Sequence, residues 1–475
     1  MSIVIGCDSF LALRNVRNGN LGEHLAGERV VVLVDPHQHE GSLDAAPPGV
    51  EIDCLFDFDA RKDAGLKPLL DRAYLARKCY YDPVTIWQEF KLSSYRDNPH
   101  NPLRRTASLG RAGLRLATYW AAGRRGRAQM WRRDFAAALQ QHSIADQYAD
   151  LLRRVNAQVV AAFSLEGLRE MALLEAARKL GLRTAVMIRS LDNLSAKIQH
   201  LPDADAYIVW ADKTRDFLLY MYPEIAPERV HVTGSPQFDH HLAPQYRLTR
   251  DEFFRTIKLD PARPLIVYTS ATPTLIQHEI DIVQHLADAV RDGKFVRGAQ
   301  LLVRQHPRGF GSSYPVLKQT YPGVSVFPPP ADAPYNSPEH EARVVKLILE
   351  DEPMHLAALA YQDVQVNISG TMMVDSAILD KPIVAVHYDI PADTLAGLSV
   401  KRFYRRSDIR PIIATGGVKL AESPEDCIAQ INRYLENPAL DANGRRLIRE
   451  QECGLLDGRA GERIARILQT LTLGN

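Results

Sequence analysis

Residues 364–384 read VQVNISGTMMVDSAILDKPIV. The run Val364–Ile368 passes straight into Ser369-Gly370-Thr371. A helical stretch to Leu379 follows, and Asp380-Lys381-Pro382 turns the chain into a second apolar run from Ile383. Apolar runs bounded by turn residues read as buried parallel strands. Strand, tight turn, helix and strand in this order make the β-α-β unit of a wound α/β sheet.

The same grammar extends in both directions. Downstream of Pro264, strands are expected at Leu265–Thr269, Gln300–Arg304, Val324–Phe327, Val364–Ile368 and Ile383–His387. Helical spacing covers 275–292 and 340–350, and a closing helix is expected near Gly461–Leu471. Pro328 to Pro338 reads as a surface loop by composition. In the first half, Ile3–Gly6 and Val30–Val34 read as strands, the second ended by Asp35-Pro36. Between them lie a polar stretch containing Asn18-Gly19-Asn20 and a helix-like piece around Leu21–Ala26. Gln158–Phe163, Thr184–Ile188, Ala206–Trp210 and Val230–Thr233 complete the set, with helical spacing over 134–156 and 166–180. Two successive arrays in 475 residues predict two Rossmann-like domains, 1–240 and 241–475, with His240–Pro244 as the connection.

Composition narrows the class. The chain is 46% hydrophobic and 24% charged with a net charge of +1, an ordinary globular balance. Cys7, Cys54, Cys79, Cys427 and Cys453 are scattered and show no CxxC pair, so neither a zinc site nor a disulfide framework is indicated, and a reduced cytoplasmic setting fits. The opening MSIVIGCDSF lacks the basic and long apolar regions of a signal peptide. No apolar run approaches the roughly 20 residues that span a bilayer.

Several segments carry the candidate chemistry. LLVRQHPR at 301–308 runs a strand into Arg304, His306 and Arg308. Ligands of open α/β sheets bind beyond the carboxyl ends of the strands, and guanidinium forks suit phosphate oxygens. The alternative is a solvated strand end with basic residues. In ISGTMMVD, Ser369, Gly370 and Thr371 offer a capped helix N-terminus of the kind that attracts phosphate, and Asp375, one turn in, could reach a ribose or sugar hydroxyl. An ordinary capped helix would look the same. VTGSPQFD at 232–239 places Gly234, Ser235 and Gln237 at the domain junction, and Thr269 and Ser270 end the first strand of the second half. Small hydroxyl residues there bind phosphates, and they also simply make turns. Their conjunction around one domain is the design of a diphosphate or nucleotide pocket. No Walker A sequence is present and no GxGxxG follows the first strand, which argues against a P-loop ATPase and weakens a dehydrogenase reading.

VTGSPQFD, RQHPR and ISGTMMVDSAILDKPIV resemble motifs of bacterial GT-B transferases of surface-polysaccharide synthesis. CDP-glycerol glycerophosphotransferases and polysialyltransferase-like enzymes share similar motifs. RSLDNLSAK at 189–197 is similar to the SWDNLTSK stretch of polysaccharide-cluster members, with Leu191 in place of the tryptophan. The resemblance spans roughly 160–470. It implies two Rossmann-like domains facing across a cleft and a last helix that crosses back to the N-terminal domain. It implies a nucleotide-activated donor, CMP-, CDP- or UDP-linked, and inverting transfer without a bound metal or other cofactor. His306 and Arg304 would contact donor phosphate, Ser369, Gly370 and Thr371 would cradle it, and Asp375 would bind donor hydroxyls. Asn193 and Lys197 would stand on the acceptor side.

An inverting transfer needs a base for the acceptor hydroxyl. Candidates are Glu166 just beyond the strand ending at Phe163, Asp192, and Asp35, His37 or His39 after the second strand. A first-turn glutamate is favoured by the helix dipole alone, and Asp192 also suits an Asx turn. Asn18, Gly19 and Asn20 form the first glycine-containing loop, a further acceptor-side candidate or a plain turn. From Lys91 to Arg133 there are eleven Lys/Arg residues and one acid, Asp97, with Tyr119, Trp120 and Trp131 interspersed. Such a segment suits an anionic membrane surface and a lipid-linked acceptor; a solvated helical hairpin or, less readily, nucleic acid are the alternatives. The leading expectation is a glycosyltransferase of the cytoplasmic face. Its rivals are a CDP-glycerol or ribitol phosphotransferase, a sugar-nucleotide epimerase, and a non-enzymatic RNA-binding or scaffold protein.

Overall fold

The computed structural model describes residues 2–43, 46–190, 192–272, 275–276, 278–306, 321–327 and 351–474. The expected helix at 340–350, the loop at 328–338, Leu191 and Arg308 lie outside them.

The chain is α/β with two parallel sheets, each in a compact unit of its own. The first unit comprises 1–90, 102–239 and 451–475, and the second 91–101 and 240–450. The seven strands of the first unit are β1 (Ser2–Cys7), β2 (Arg29–Val34), β3 (Val50–Cys54), β4 (Ala157–Ala162), β5 (Arg183–Met187), β6 (Ala206–Val209) and β7 (Val230–Val232), in the order β3-β2-β1-β4-β5-β6-β7. The second sheet has six: β8 (Leu265–Thr269), β9 (Gln300–Arg304), β10 (Val324–Phe327), β11 (Val364–Asn367), β12 (Ile383–Val386) and β13 (Lys419–Ala421), ordered β10-β9-β8-β11-β12-β13. Both are doubly wound: the order runs outward in two directions from the first strand of the unit, leaving a switch point where loops diverge to opposite faces.

The central strands are apolar on both faces because helices cover both. Ile3, Val4 and Ile5 of β1 are wholly buried, alternating between two core clusters. In one of these, the last helix, Ala460–Leu473, packs on β4 and β5 of the first unit and lays Ile464, Ala465 and Leu468 into a cluster shared with β1 and β2. The i, i+1, i+4 spacing puts the three on one stripe, and burying the Ile and Leu contributes about 1.5–3 kcal/mol each. The expected return of the C-terminal helix to the N-terminal half is thus present as packing.

Three expectations of local structure change. The polar stretch after β1 is a helix, Phe10–Asn18, with Ser9 accepting the N–H of Leu11 at its start. The expected helix at 134–156 is two helices, Arg127–Gln141 and Ser143–Arg154, because His142 breaks the run and caps the second through Nδ1. Two edge strands, β3 and β13, were not expected. Both are short, and VEIDC alternates polar residues with half-buried ones, as a strand covered on one side does.

Candidate functional site

In each unit every strand is parallel, so all strand-to-helix loops emerge at one carboxyl edge. The edge of the second unit is built on β9, β8 and β11. The register sets Arg304 level with Thr269, and Thr269 level with Asn367. The residues that follow, His306, Ser270 and Ser369-Gly370-Thr371, therefore stand at the same edge. The His306 N–H donates to Ser270 Oγ at 2.8 Å, and Gln365 Nε2 donates to Thr269 Oγ1 at 2.8 Å, tying the three strand ends together. His306, Thr269, Ser270, Ser369, Gly370 and Thr371 are all partly exposed. Gly370 has φ +145° with no atom within 4 Å of where a Cβ would stand, so the backbone there is open on one side.

Other members of the expected set are placed differently. Arg304 is 8% exposed, and its guanidinium forms a two-pronged ion pair with Asp351, Nη1 to Oδ1 at 3.1 Å and Nη2 to Oδ2 at 2.6 Å. Its charge is engaged within the unit rather than presented at the edge. Thr371 stands at the head of the helix Met372–Ile378 but makes no capping hydrogen bond through its side chain, and that helix has only seven residues. Asp375 is 1% exposed and turned inward, with Oδ1 3.5 Å from His241 Nε2. His355 joins them; one ligand atom from each of the three lies within 4.8 Å of the others. Burial of the carboxylate beside imidazoles, rather than at the surface, separates it from the expected contact with donor hydroxyls.

Gly234, Ser235 and Gln237, expected among the donor residues, belong to the first unit. Gly234 has φ +77° and lies against the Leu455 carbonyl, which a Cβ would meet at 2.5 Å; Ser235 is 1% exposed. Their placement is explained by packing of the segment before the C-terminal helix: Asp239 accepts the N–H groups of Gly458 at 3.0 Å and Ala460 at 2.9 Å.

The carboxyl edge of the first unit carries a dense ionic cluster. Arg169, opening the helix Arg169–Lys179, reaches three carboxylates that follow three strands: Asp8 at 2.9 Å, Asp35 at 3.1 Å and Asp57 at 2.9 Å. Burial outweighs Arg169 and pushes the Asp8 carboxyl up to about 6. Beneath it, wholly buried Glu170 accepts the N–H groups of Phe163 at 3.1 Å, Ser164 at 3.0 Å and Leu165 at 2.6 Å, and burial holds its carboxyl well above the usual range. These bonds hold Leu165 at φ +51°, a conformation that costs a non-glycine residue about 1–3 kcal/mol. Gly167 closes the loop. A Cβ there would fall 1.3 Å from Asp8 Oδ2.

Glu166 projects from this loop with its side chain 28% exposed. It pairs with Arg189, lies 3.2 Å from Lys197 Nζ and accepts from Asn193 Nδ2 at 3.3 Å. Asp192 shares Lys197 at 3.2 Å and accepts the Ser190 hydroxyl. The structure thus joins Glu166, from the loop after β4, with Asp192 and Lys197, at the start and end of a single turn of π-helix, Asn193–Lys197, in one polar group. Asn193 is wholly buried, its Oδ1 accepting the N–H groups of Arg189 at 2.8 Å and Ser190 at 2.7 Å, so it shapes the loop instead of standing open to an acceptor. Asn18 and Gly19 likewise face inward. They end the helix Phe10–Asn18 and are buried, with Gly19 against Gly461; only Asn20, at φ +46°, is exposed.

Sequence reasoning missed Asp8, Arg169 and Glu170. The signal that singled out Glu166, a charged residue just beyond a buried strand, also applies to Asp8 after β1.

No family model and no curated protein matches the chain. Solved structures do match along its length. They include the UDP-GlcNAc 2-epimerase from Methanocaldococcus jannaschii, with TM-score 0.52 and 12% identity over 99% of both chains. The UDP-GlcNAc 2-epimerase from Neisseria meningitidis bound to UDP-GlcNAc gives TM-score 0.51 and 12% identity over 100% of both. S. aureus MnaA with UDP gives TM-score 0.52 and 11% identity, covering 99% of this chain and 97% of that one. At such identities the likeness shows the fold, the GT-B type built of two Rossmann-like domains, which this chain shares with enzymes of nucleotide sugars.

Proposed function

We propose that this chain is a nucleotide-sugar-dependent glycosyltransferase of GT-B fold, acting on a glycan or lipid-linked acceptor in surface-polysaccharide synthesis. The observation that carries the reading is the edge where β9, β8 and β11 bring His306, Ser270 and Ser369-Gly370-Thr371 together with hydroxyls, an imidazole and open backbone at one level. Such groups hold a diphosphate and stabilise the charge that builds on it as the glycosidic bond breaks. His306 and the Ser369–Thr371 turn bind donor phosphate in this reading. Glu166 accepts the proton of the attacking hydroxyl, held in position by Arg189 and Lys197, with Asp192 beside the same lysine. The basic segment 91–133 serves the membrane on which a lipid-linked acceptor resides.

Thermal stabilisation by CMP, CDP, UDP and GDP tests the donor site. A nucleotide at 100 times its dissociation constant stabilises the fold by about 2.7 kcal/mol. Stabilisation of the wild type by one nucleotide, lost in His306→Ala, is expected; no response to any of the four overturns the reading.

A second reading has support of its own: the solved structures of like fold cited above include UDP-GlcNAc 2-epimerases. Incubation of the protein with UDP-GlcNAc alone separates the two. Conversion of the donor to an isomer without acceptor favours epimerisation, and acceptor-dependent release of nucleotide favours transfer.

A further inference from the structure

The longest helix among those described, Pro102–Arg124, belongs to the first unit and takes no part in either edge. Its inner side is anchored. Gly123 meets the helix Leu66–Tyr81 so closely that a Cβ would lie 2.4 Å from the Ala76 carbonyl oxygen. Leu116 and Tyr119 pack on a small cluster of Leu75, Cys79 and Ile86. The outer side is the unusual one. Leu103 is 83% exposed and Leu114 71% exposed. Eleven residues make about three turns at 3.6 residues per turn, so both leucines sit on one stripe, some 16 Å apart along the axis. Ala107, Gly110 and Ala117, all exposed, continue that stripe and carry nothing polar.

Arginines border it. From Pro102 to Arg133 there are nine arginines and no acidic residue. Arg111 and Arg115 flank the stripe on one side, and Arg124 lies toward the other. They and Arg125 and Arg127 are exposed. Among the described residues these five make no ion pair; Arg115 and Arg124 only stack their guanidinium groups near the rings of Phe90 and Trp120. A solvated surface helix would be expected to turn polar residues outward and to intersperse acids with bases. An exposed apolar ridge lined by unneutralised arginines is the pattern of a helix lying in a lipid–water interface.

We infer that the Leu103–Leu114 face of this helix docks flat on an anionic lipid surface, the two leucines entering the acyl boundary while Arg111, Arg115 and Arg124 meet lipid phosphates. The occupant is a membrane rather than a nucleic acid because the ridge itself is built of leucines, which gain from hydrocarbon and not from bases or phosphates; the exposed ring of this helix, Trp120, borders the ridge beside Arg124 and suits the same lipid–water interface. The inference rests on the proposed reading only for its use, a membrane-borne acceptor. Its test reads lipid binding without turnover.

The full chain is sedimented with vesicles of phosphatidylcholine alone and of equimolar phosphatidylcholine and phosphatidylglycerol, at low and high salt. Binding to the anionic vesicles alone, weakened by salt, is expected. Arg111→Glu with Arg115→Glu lowers the partition at least about tenfold. Leu103→Ser with Leu114→Ser lowers it severalfold, and a Leu114→Trp reporter in the otherwise wild-type chain shifts its emission to the blue on anionic vesicles, a shift that Arg111→Glu with Arg115→Glu abolishes. All these side chains are exposed, so the variants keep the wild-type melting temperature and nucleotide response, which separates failure here from failure of the donor site. Binding that ignores both double variants, absence of binding to anionic vesicles, or tight binding to tRNA with none to vesicles overturns the inference.

Discussion

Arg169 Nη1 donates to Asp8 Oδ1 over 2.9 Å, joining the loop after β4 to the end of β1. The aspartate side chain is 2% exposed and the arginine 17%, and Asp35 and Asp57 share the same guanidinium. One cation thus holds three carboxylates that would otherwise repel one another. Removing it leaves a buried acid unpaired, which costs about 3–5 kcal/mol. Arg169→Ala is expected to lose stability of this order in urea denaturation, and Arg169→Lys to recover part of it, since a single ammonium cannot serve three partners in a fork. A loss under 1 kcal/mol in the alanine variant shows that water replaces the guanidinium without penalty.

The same cluster gives a pH signature. Asp8 titrates near 6 in the folded chain, above the ordinary aspartate value, because burial disfavours its charge. Between about pH 4 and 6 the folded state therefore holds more protons than the unfolded one, and stability falls as pH rises through that window. Glu170, also raised by burial, acts in the same direction. Asp8→Asn removes its share, on the order of 2 kcal/mol across the window. Urea midpoints measured at pH 4, 5, 6 and 7 are expected to show a shallower decline in the variant than in the wild type; parallel curves place the titrating group elsewhere.

The alternation of apolar runs and turn residues was sufficient to read the inner strands of both sheets, because buried parallel strands are apolar and continuous, as in VVVLV and QLLVR. It failed at β3 and β13, which lie at sheet edges and are only partly covered. The second edge was legible as a row of residues, since parallel strands oblige His306, Ser270 and Ser369 to emerge at one level. Side-chain direction was not. That Arg304 turns to Asp351, 47 positions away, and Asp375 to His241, depends on which helices pack beside those strands. Nor does a linear reading show that Gly19 and Gly461 touch.

That last contact supports a prediction of its own. A Cβ on Gly461 would fall 1.9 Å from the Gly19 carbonyl oxygen, a backbone atom that cannot swing aside. Gly461→Ala should therefore pry the helix Ala460–Leu473 from the core formed with β1 and β4, costing about 1–3 kcal/mol. Hydrogen exchange is expected to quicken first in that helix. Gly458→Ala is the control: its Cβ position is open although its φ is +75°, so it carries backbone strain without a clash.

The pairing of Arg304 with Asp351 decides whether that arginine can serve a donor. Both side chains are about nine-tenths buried, at 9% and 11% exposure, and the two-pronged geometry satisfies the fork. Arg304→Ala strands Asp351 and is expected to cost about 3–5 kcal/mol of stability, so a lost nucleotide response in that variant alone would say little. Asp351→Asn is more informative. It takes the charge from the partner while keeping its shape, and leaves the guanidinium able to turn toward a phosphate. If Arg304 takes part in donor binding, Asp351→Asn strengthens nucleotide affinity severalfold in isothermal titration, and Arg304→Gln in the Asp351→Asn background abolishes the gain. Equal affinities in wild type and Asp351→Asn would confine Arg304 to supporting the strand end, leaving His306 and the Ser369–Thr371 turn to hold the phosphates.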